Sequence, residues 1–413
     1  LAHQPFRWLL SARTIATLGN FVAPVAVAFA VLDLTGSPAA LGLVLAARSV
    51  PQVLFMLVGG VVADRFSRRR VVIVAAAASA LSQAVAAAAV LTSTATIGQL
   101  VAIEAVNGSA AAFIFPAAAG LTPLTVPARM LQQANALLRM GMSSAMILGS
   151  AVGGALVALV GPGWGLAIDA ATFALAAVLL VPLRVSQRTT QQRQHRPPPG
   201  PWTDLREGWT EVRTRTWIWV VVLCFGLVNA GWAATMGVLG PVIADEQLSR
   251  AGWGIVLAAQ SVGLVLGGLV SLRLRMRHPL RVGLLATMLG GPFLVVLALA
   301  PSLVPLVALA MLAGIGIEVF SVGWDVSLQE HVPTERLSRV YSYDALGSFA
   351  LIPLGQVVVG PAAAAFGASA TVLAVVGVSL ACLVGALLVP SVRNLGRATV
   401  APTPRVEVSA EPV

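Results

Sequence analysis

Five ionisable residues interrupt otherwise apolar stretches of this 413-residue chain: Arg48, Glu104, Asp169, Glu318 and Asp344. A charge inside a long apolar run is costly unless it is paired or reaches water, and within a membrane it marks a proton, ion or substrate pathway. Arg48 and Glu104 stand at similar depth in their runs, which predicts a pair. Ionised Glu104 would hold Arg48, and a proton on Glu104 would release it. Arg48, Glu104, Asp169 and Glu318 are therefore the candidate proton-coupling residues. Arg13 lies nearer the end of its run, where a long side chain can snorkel to the surface.

The elements carrying these charges are set by composition. The chain is 58% hydrophobic and 10% charged, against roughly 25% charged in soluble domains. Too few charges remain to coat a soluble surface. In lipid each span must satisfy its own backbone, so helices or closed barrels are the options. Barrel strands alternate polar and apolar residues, whereas runs such as Val71–Leu91 and Ala362–Pro390 are continuously apolar. With about 20 residues needed per crossing, the runs predict spans at 8–32, 38–63, 71–92, 97–121, 134–160, 164–184, 216–241, 252–271, 281–300, 303–325, 344–366 and 370–390. The first span reads as an uncleaved helix.

All 26 basic residues are Arg, and they cluster in alternate loops. The groups Arg65, Arg68, Arg69 and Arg70, then Arg129, then Arg184 to Arg215, then Arg273 to Arg281, then Arg336 and Arg339, follow the even-numbered spans. By the positive-inside rule these loops and both termini are expected in the cytoplasm of a bacterial cell, with the chain in its inner membrane. This placement also argues against nucleic acid as the partner of the +10 net charge. Residues 186–201, with Pro197-Pro198-Pro199 and several Gln, read as a linker. Trp202–Arg215 is amphipathic and is expected either to lie on the membrane surface or to be a solvated connector. Residues 1–185 and 216–392 are then two six-helix bundles joined by 186–215, with 393–413 a disordered tail.

The halves repeat. Gly59-Gly60 and Gly267-Gly268 close the second and eighth spans, 208 residues apart. Val126-Pro127 and Val332-Pro333 follow the fourth and tenth, 206 apart. Duplicated bundles of this kind place a substrate site between the halves near mid-membrane.

Gly60-x3-Asp64-Arg65-x-Ser67-Arg68-Arg69-Arg70 resembles the loop motif of the major facilitator superfamily. Leu34–Pro38, Phe115-Pro116-Ala117, Ala134–Leu137 and Asp169–Phe173 are similar to the branch holding enterobactin exporters and macrolide efflux proteins. The resemblance implies an all-α fold of twelve transmembrane helices in two pseudo-symmetric bundles, and export by proton antiport with no cofactor beyond the proton gradient. It implies a conformational latch at Gly60, Asp64, Arg65, Arg68 and Arg69. Gly149-Ser150-x2-Gly153-Gly154 resembles the antiporter motif of drug exporters, with Ser150 at the usual Pro. Cavities in this superfamily are lined by spans 1, 4, 7 and 10, which makes Asn20, Glu104, Asn107, Asn229, Trp232, Met236, Glu318 and Ser321 the candidate lining. Acidic residues there would favour cationic or neutral amphiphiles. Asp325 and Asp344, nearer the edge, are candidate gate or cap residues.

No Gly-x4-Gly-Lys phosphate loop occurs, so ATP is not the expected energy source. The four His have no metal-ligand spacing, Cys224 and Cys382 sit in apolar runs, and no catalytic site is expected. The leading expectation is a monomeric, proton-coupled exporter of drugs, siderophores or secondary metabolites. The alternatives are a nutrient importer or facilitator and a non-transporting receptor or assembly subunit.

Overall fold

The computed structural model describes residues 3–127, 130–183, 209–274 and 276–396. Among them there is no strand, and twelve helices are long and apolar enough to cross a membrane. The first six are α1 (Gln4–Thr35), α2 (Pro38–Arg65), α3 (Arg68–Leu91), α4 (Ile97–Ala119), α5 (Leu131–Val160) and α6 (Pro162–Leu180). The second six are α7 (Thr216–Gln247), α8 (Arg250–Arg273), α9 (Pro279–Leu299), α10 (Leu303–His331), α11 (Thr334–Phe349 continued by Ile352–Phe366) and α12 (Ala368–Leu388).

Turn chemistry sets the junctions. Gly36 takes φ +59° to end α1, and Ser37 Oγ accepts from the Ala40 N–H at 3.3 Å to start α2. Both features answer the unpaired backbone groups that every helix end leaves. Gly161 (φ +90°) joins α5 to α6 and Gly367 (φ +86°) joins α11 to α12, another equivalence 206 residues apart. Prolines account for the irregular helices. A π-turn at Thr235–Leu239 precedes Gly240-Pro241, and α9 and α11 break just before Pro292 and Pro353. A proline ring displaces the preceding carbonyl and supplies no N–H.

One expected boundary shifts by about three turns. α11 begins at Thr334, so Asp344 lies inside the helix and not at its start. The Arg-rich first turns of α11 are polar, and hydropathy alone could not see a helix that outruns its apolar segment. The connector at 186–201 and the Trp202–Glu207 part of the amphipathic segment fall outside the described residues, as does most of the 393–413 tail. Residues 209–214 are helical and dock on the second bundle, with Val212 buried in its core.

Large apolar side chains cover the outside, among them Leu81 (70% exposed), Val304 (79%) and Leu388 (68%). So much exposed apolar surface suits lipid contact and not water. Inside each bundle the partners match: α2 packs on α4 and α1 on α6, while α8 packs on α10. Between bundles, α5 meets α8 and α2 meets α11.

One hydrophobic core spans both bundles, joining Val31, Leu41 and Ile103 of the first to Val242, Trp253 and Val359 of the second. It occupies the far end, away from the first residues of α1 and the last of α12. Toward that terminal end the cores separate, one holding Val212 to Val392 and another Leu9 to Leu183. The bundles thus share one core at the far end and keep separate cores toward the terminal end.

Candidate functional site

The first bundle draws its polar groups to the level where the two bundles part. Gly108 lets α4 lie directly on α2: a Cβ there would overlap the Arg48 carbonyl. This approach sets Arg48 Nη1 at 3.5 Å from Glu104 Oε2. Arg48 Nη2 donates to Asn20 Oδ1 at 3.2 Å, and Asn20 Nδ2 donates back to the Ala16 carbonyl. The expected pair between Arg48 and Glu104 is therefore present, with α1 as its third member. The next residue on α2, Ser49, donates to Gln356 Oε1 on α11 at 2.8 Å, where the bundles still touch.

Asp169 is completely buried on α6 and Gln83 completely buried on α3. Gln83 bears on both the Glu104 and Asp169 carboxyls without reaching hydrogen-bond geometry. Neither Asp169 oxygen, neither polar atom of Gln83, nor Asn107 Oδ1 has a hydrogen-bond partner among the described residues. Buried polar groups are almost always satisfied, so this cluster is unlike ordinary structural polarity. Gln83 was not singled out from the sequence, although it is a lone carboxamide in an Ala-rich run.

A cavity of about 220 Å³ opens beside this cluster, lined on one face of α1 by Arg13, Thr17 and Asn20 and opposite them by Arg48, Gln52 and Asn107. Arg13 faces this cavity instead of snorkelling out. Glu104 is only 2% exposed and stands behind Arg48, so it is part of the wall's interior and not its lining.

The second bundle has a matching cavity of about 200 Å³, lined by Asn229, Trp232 and Gln260 with Phe225 and Phe320. Here Gly314 packs on the Gln260 carbonyl as Gly108 packs on that of Arg48. The equivalent position is thus neutral, and this wall is aromatic: Phe225 and Phe320 stack at 3.8 Å between centroids. Asn229 Nδ2 also donates to the Ser348 carbonyl at 3.1 Å.

Besides Glu104, three further expected lining residues are placed elsewhere. Met236 packs against the shared far-end core, because the π-turn at Thr235–Leu239 rotates its part of α7. Glu318 packs its stem against Gly267 and Gly268 of α8, facing toward Arg139 of α5, and Ser321 is exposed. Neither borders either of these two cavities; Ile317 and Phe320 take the cavity face of α10. Asp325 accepts from Tyr341 Oη (3.0 Å), and Asp344 accepts from Trp324 Nε1 (2.9 Å) and Ser348 Oγ (3.0 Å). Both acids tie α10 to α11.

Among the latch residues, Arg68 donates to the Gly120 carbonyl at 3.0 Å, and Arg69 donates to the carbonyls of Leu180 (2.9 Å) and Val181. These cap the carbonyl ends of α4 and α6, where cations are favoured. Arg65 is exposed. Gly60 and Asp64 keep helical backbone, while their side-chain surroundings lie outside the described residues. In the antiporter-like motif, Gly149 and Gly153 pack on α1 at Leu18 and Val22. Gly154 packs on Gly254 of α8, and Ser150 Oγ donates to the Met146 carbonyl at 3.0 Å. Small residues of this kind let helices approach closely.

At the far end Arg250 of α8 crosses to the first bundle. Its Nη1 donates to Asp33 Oδ2 at 3.0 Å, its Nη2 pairs with Asp33 Oδ1, and its Nε donates to Asp245 Oδ1 at 2.8 Å. The guanidinium also lies 4.9 Å from the centroid of Phe29. Asp33 gave no sequence signal, since nothing local identifies a partner 217 residues away.

The chain is 27% identical over 390 residues to the enterobactin exporter EntS of Escherichia coli O1:K1, covering 92% of this chain and 91% of the relative. The same figures hold for the enterobactin exporter EntS of Shigella boydii serotype 18. Its fold is similar to that of a bacterial homologue of the human lysosomal transporter Spinster, in an inward-facing, unoccupied conformation (TM-score 0.75, 18% identity, 97% of this chain and 100% of the other). It is also similar to that of the nucleoside transporter NupG (TM-score 0.70, 16% identity, 94% and 98%). Residues 9–291 match the family described as Major Facilitator Superfamily, and with twelve spanning helices in two six-helix bundles the chain belongs to that family of membrane transporters.

Proposed function

We propose that the chain is a proton-coupled antiporter that exports amphiphilic small molecules across a bacterial inner membrane by alternating access. The Arg-rich loops lie at the terminal end, which the positive-inside rule assigns to the cytoplasm. With the far end closed, the conformation described above is then open inward. The likeness to enterobactin exporters supports the outward direction of transport. One chain holds both cavities, which supports a monomer as the working unit.

The observation that carries the coupling is the Arg48–Glu104 pair, set where the bundles part, with Asp169 and Gln83 buried behind it. One guanidinium faces two carboxyls in an apolar setting, so the cluster is charge-balanced with one proton aboard. Loss of a proton from Glu104 itself tightens the pair across α2 and α4. Its return frees Arg48 to other partners, and because Arg48 adjoins the Ser49–Gln356 bridge between bundles, that change reaches the interface. The Glu104→Gln variant tests this in inverted membrane vesicles. Substrate accumulation driven by a pH gradient should fall at least about tenfold, as expected when an ionic interaction of 1.4 kcal/mol or more is lost, while exchange without a gradient persists. Full gradient-driven accumulation in the variant would refute the coupling role.

A further inference from the structure

Every charged residue that lines the two cavities is an arginine. Arg13 and Arg48 line the first, and the second has no charged lining at all. The acids that from sequence suggested a cation site lie elsewhere: Glu104 and Asp169 are buried behind the wall, and Glu318 is turned to the α8 seam. The two arginines also differ. Arg48 is committed to Glu104 and Asn20. No hydrogen bond or ion pair reaches the Arg13 guanidinium from the described residues, although it is half-buried among Leu9, Ala12 and Ala16.

A guanidinium placed against apolar surface without a counter-charge is a site for an anion. Thr17, Asn20 and Gln52 border the same space and offer further donors. The second bundle's cavity is a separate space, bordered by Phe225, Trp232 and Phe320 of that bundle. The first cavity, at about 220 Å³, is smaller than the roughly 300–1,000 Å³ typical of small-molecule sites, so it receives the acidic end of a molecule whose remainder extends beyond it.

We infer that the transported molecule is a water-soluble organic anion, its acidic group held by Arg13 in the first bundle's cavity. This inference rests on the proposed transport role and specifies its substrate class. The open terminal end gives access from water, which favours a soluble acid over a lipid headgroup.

The test is binding of 1-naphthylacetate, 1-naphthylacetamide and 1-naphthylethylamine, which share a ring system and differ in charge, to the full chain by isothermal titration calorimetry in detergent. The acetate should bind tightest and the amine weakest. Arg13→Gln should weaken the acetate about tenfold, the size of one charge-assisted hydrogen bond, and leave the neutral amide unchanged, while Arg13→Lys keeps most of the preference. Unchanged amide binding also shows that the variant is folded. Equal or tighter binding of the amine, equal losses for all three compounds in Arg13→Gln, or no binding of the acetate to the unaltered chain would each overturn the inference. Displacement of the acetate by far lower concentrations of lysophosphatidylglycerol would overturn the assignment to a soluble acid. Because binding is read without flux, charge selectivity with no transport in vesicles would sink the transport role alone.

Discussion

Glu211 and Glu104 are both nearly buried carboxyls beside arginine, and they differ in how they are satisfied. Glu211 accepts from Arg215 Nε at 2.8 Å and from Arg336 Nη1 at 2.7 Å. Burial works against its charge, but the hydrogen bonds from Arg336 and Arg215 outweigh burial and hold the carboxyl below its ordinary value. A carboxyl lowered in the docked state contributes its full stabilisation at pH above its free value and loses it as pH falls through the lowered one. Residues 209–214 should therefore stay docked on the second bundle at neutral pH and release in acid. Glu211→Gln should weaken docking at neutral pH by about 1 kcal/mol, a figure reduced for solvent screening because Arg336 is half exposed. Fluorescence of Trp209, whose ring lies 5.9 Å from that of Tyr343, reports the release. No change on substitution would mean that Val212 alone holds the segment. Among the described residues Glu104 has no comparable set of donors, and its one cation, Arg48, is at 3.5 Å.

At the scale of the helix, the Gly149-Ser150-x2-Gly153-Gly154 segment joins three elements through small residues alone. Gly149 and Gly153 seat α5 on α1 within the bundle, while Gly154 seats it on α8 across the interface. Substitution at Gly154 therefore separates the two roles. Gly154→Leu should leave the first bundle intact and push α5 from α8 at the far end. Overpacking costs about 1–3 kcal/mol, enough to shift the balance toward a far-end-open state roughly fivefold or more. Spin labels at positions 159 and 255, both exposed near the far ends of α5 and α8, should report a longer distance. An unaltered distance distribution would show that the helices absorb the side chain without parting.

For the molecule as a whole, and on the alternating access proposed above, the shared far-end core and the Arg250 clamp act on one equilibrium between closed and open forms. Arg250 holds Asp33 of one bundle and Asp245 of its own, so the clamp adds to a closed state that apolar contact already favours. Exposed pairs of this kind contribute about 1 kcal/mol at most. Arg250→Gln should therefore raise the far-end-open population several-fold without unfolding the protein, and high salt should do the same to the unaltered chain. The exchange Asp33→Arg with Arg250→Asp should restore closure across the bundles while losing the Asp245 contact. Accessibility of a cysteine at position 29 to a membrane-impermeant thiol reagent, in a background lacking Cys224 and Cys382, measures each case. Equal accessibility in all variants would assign closure to the apolar core alone.

The number of spans, their approximate limits, the duplication and the alternate Arg loops were all legible in the sequence. Each is a property of composition along the chain: hydropathy over about 20 residues, glycine and proline at junctions, and charge counted loop by loop. The Arg48–Glu104 pair was legible too, because two charges at equal depth in neighbouring spans have few other partners. Tertiary structure alone decided which face of each helix turns inward. It placed Arg13 in the cavity, turned Glu318 and Met236 away from it, set Gln83 between two acids, and joined Arg250 to Asp33 across 217 residues. In an all-apolar helix the sequence carries almost no amphipathic signal for facing. The orientation comes instead from where glycines let neighbouring backbones meet, and that is a relation between helices, absent from any one of them.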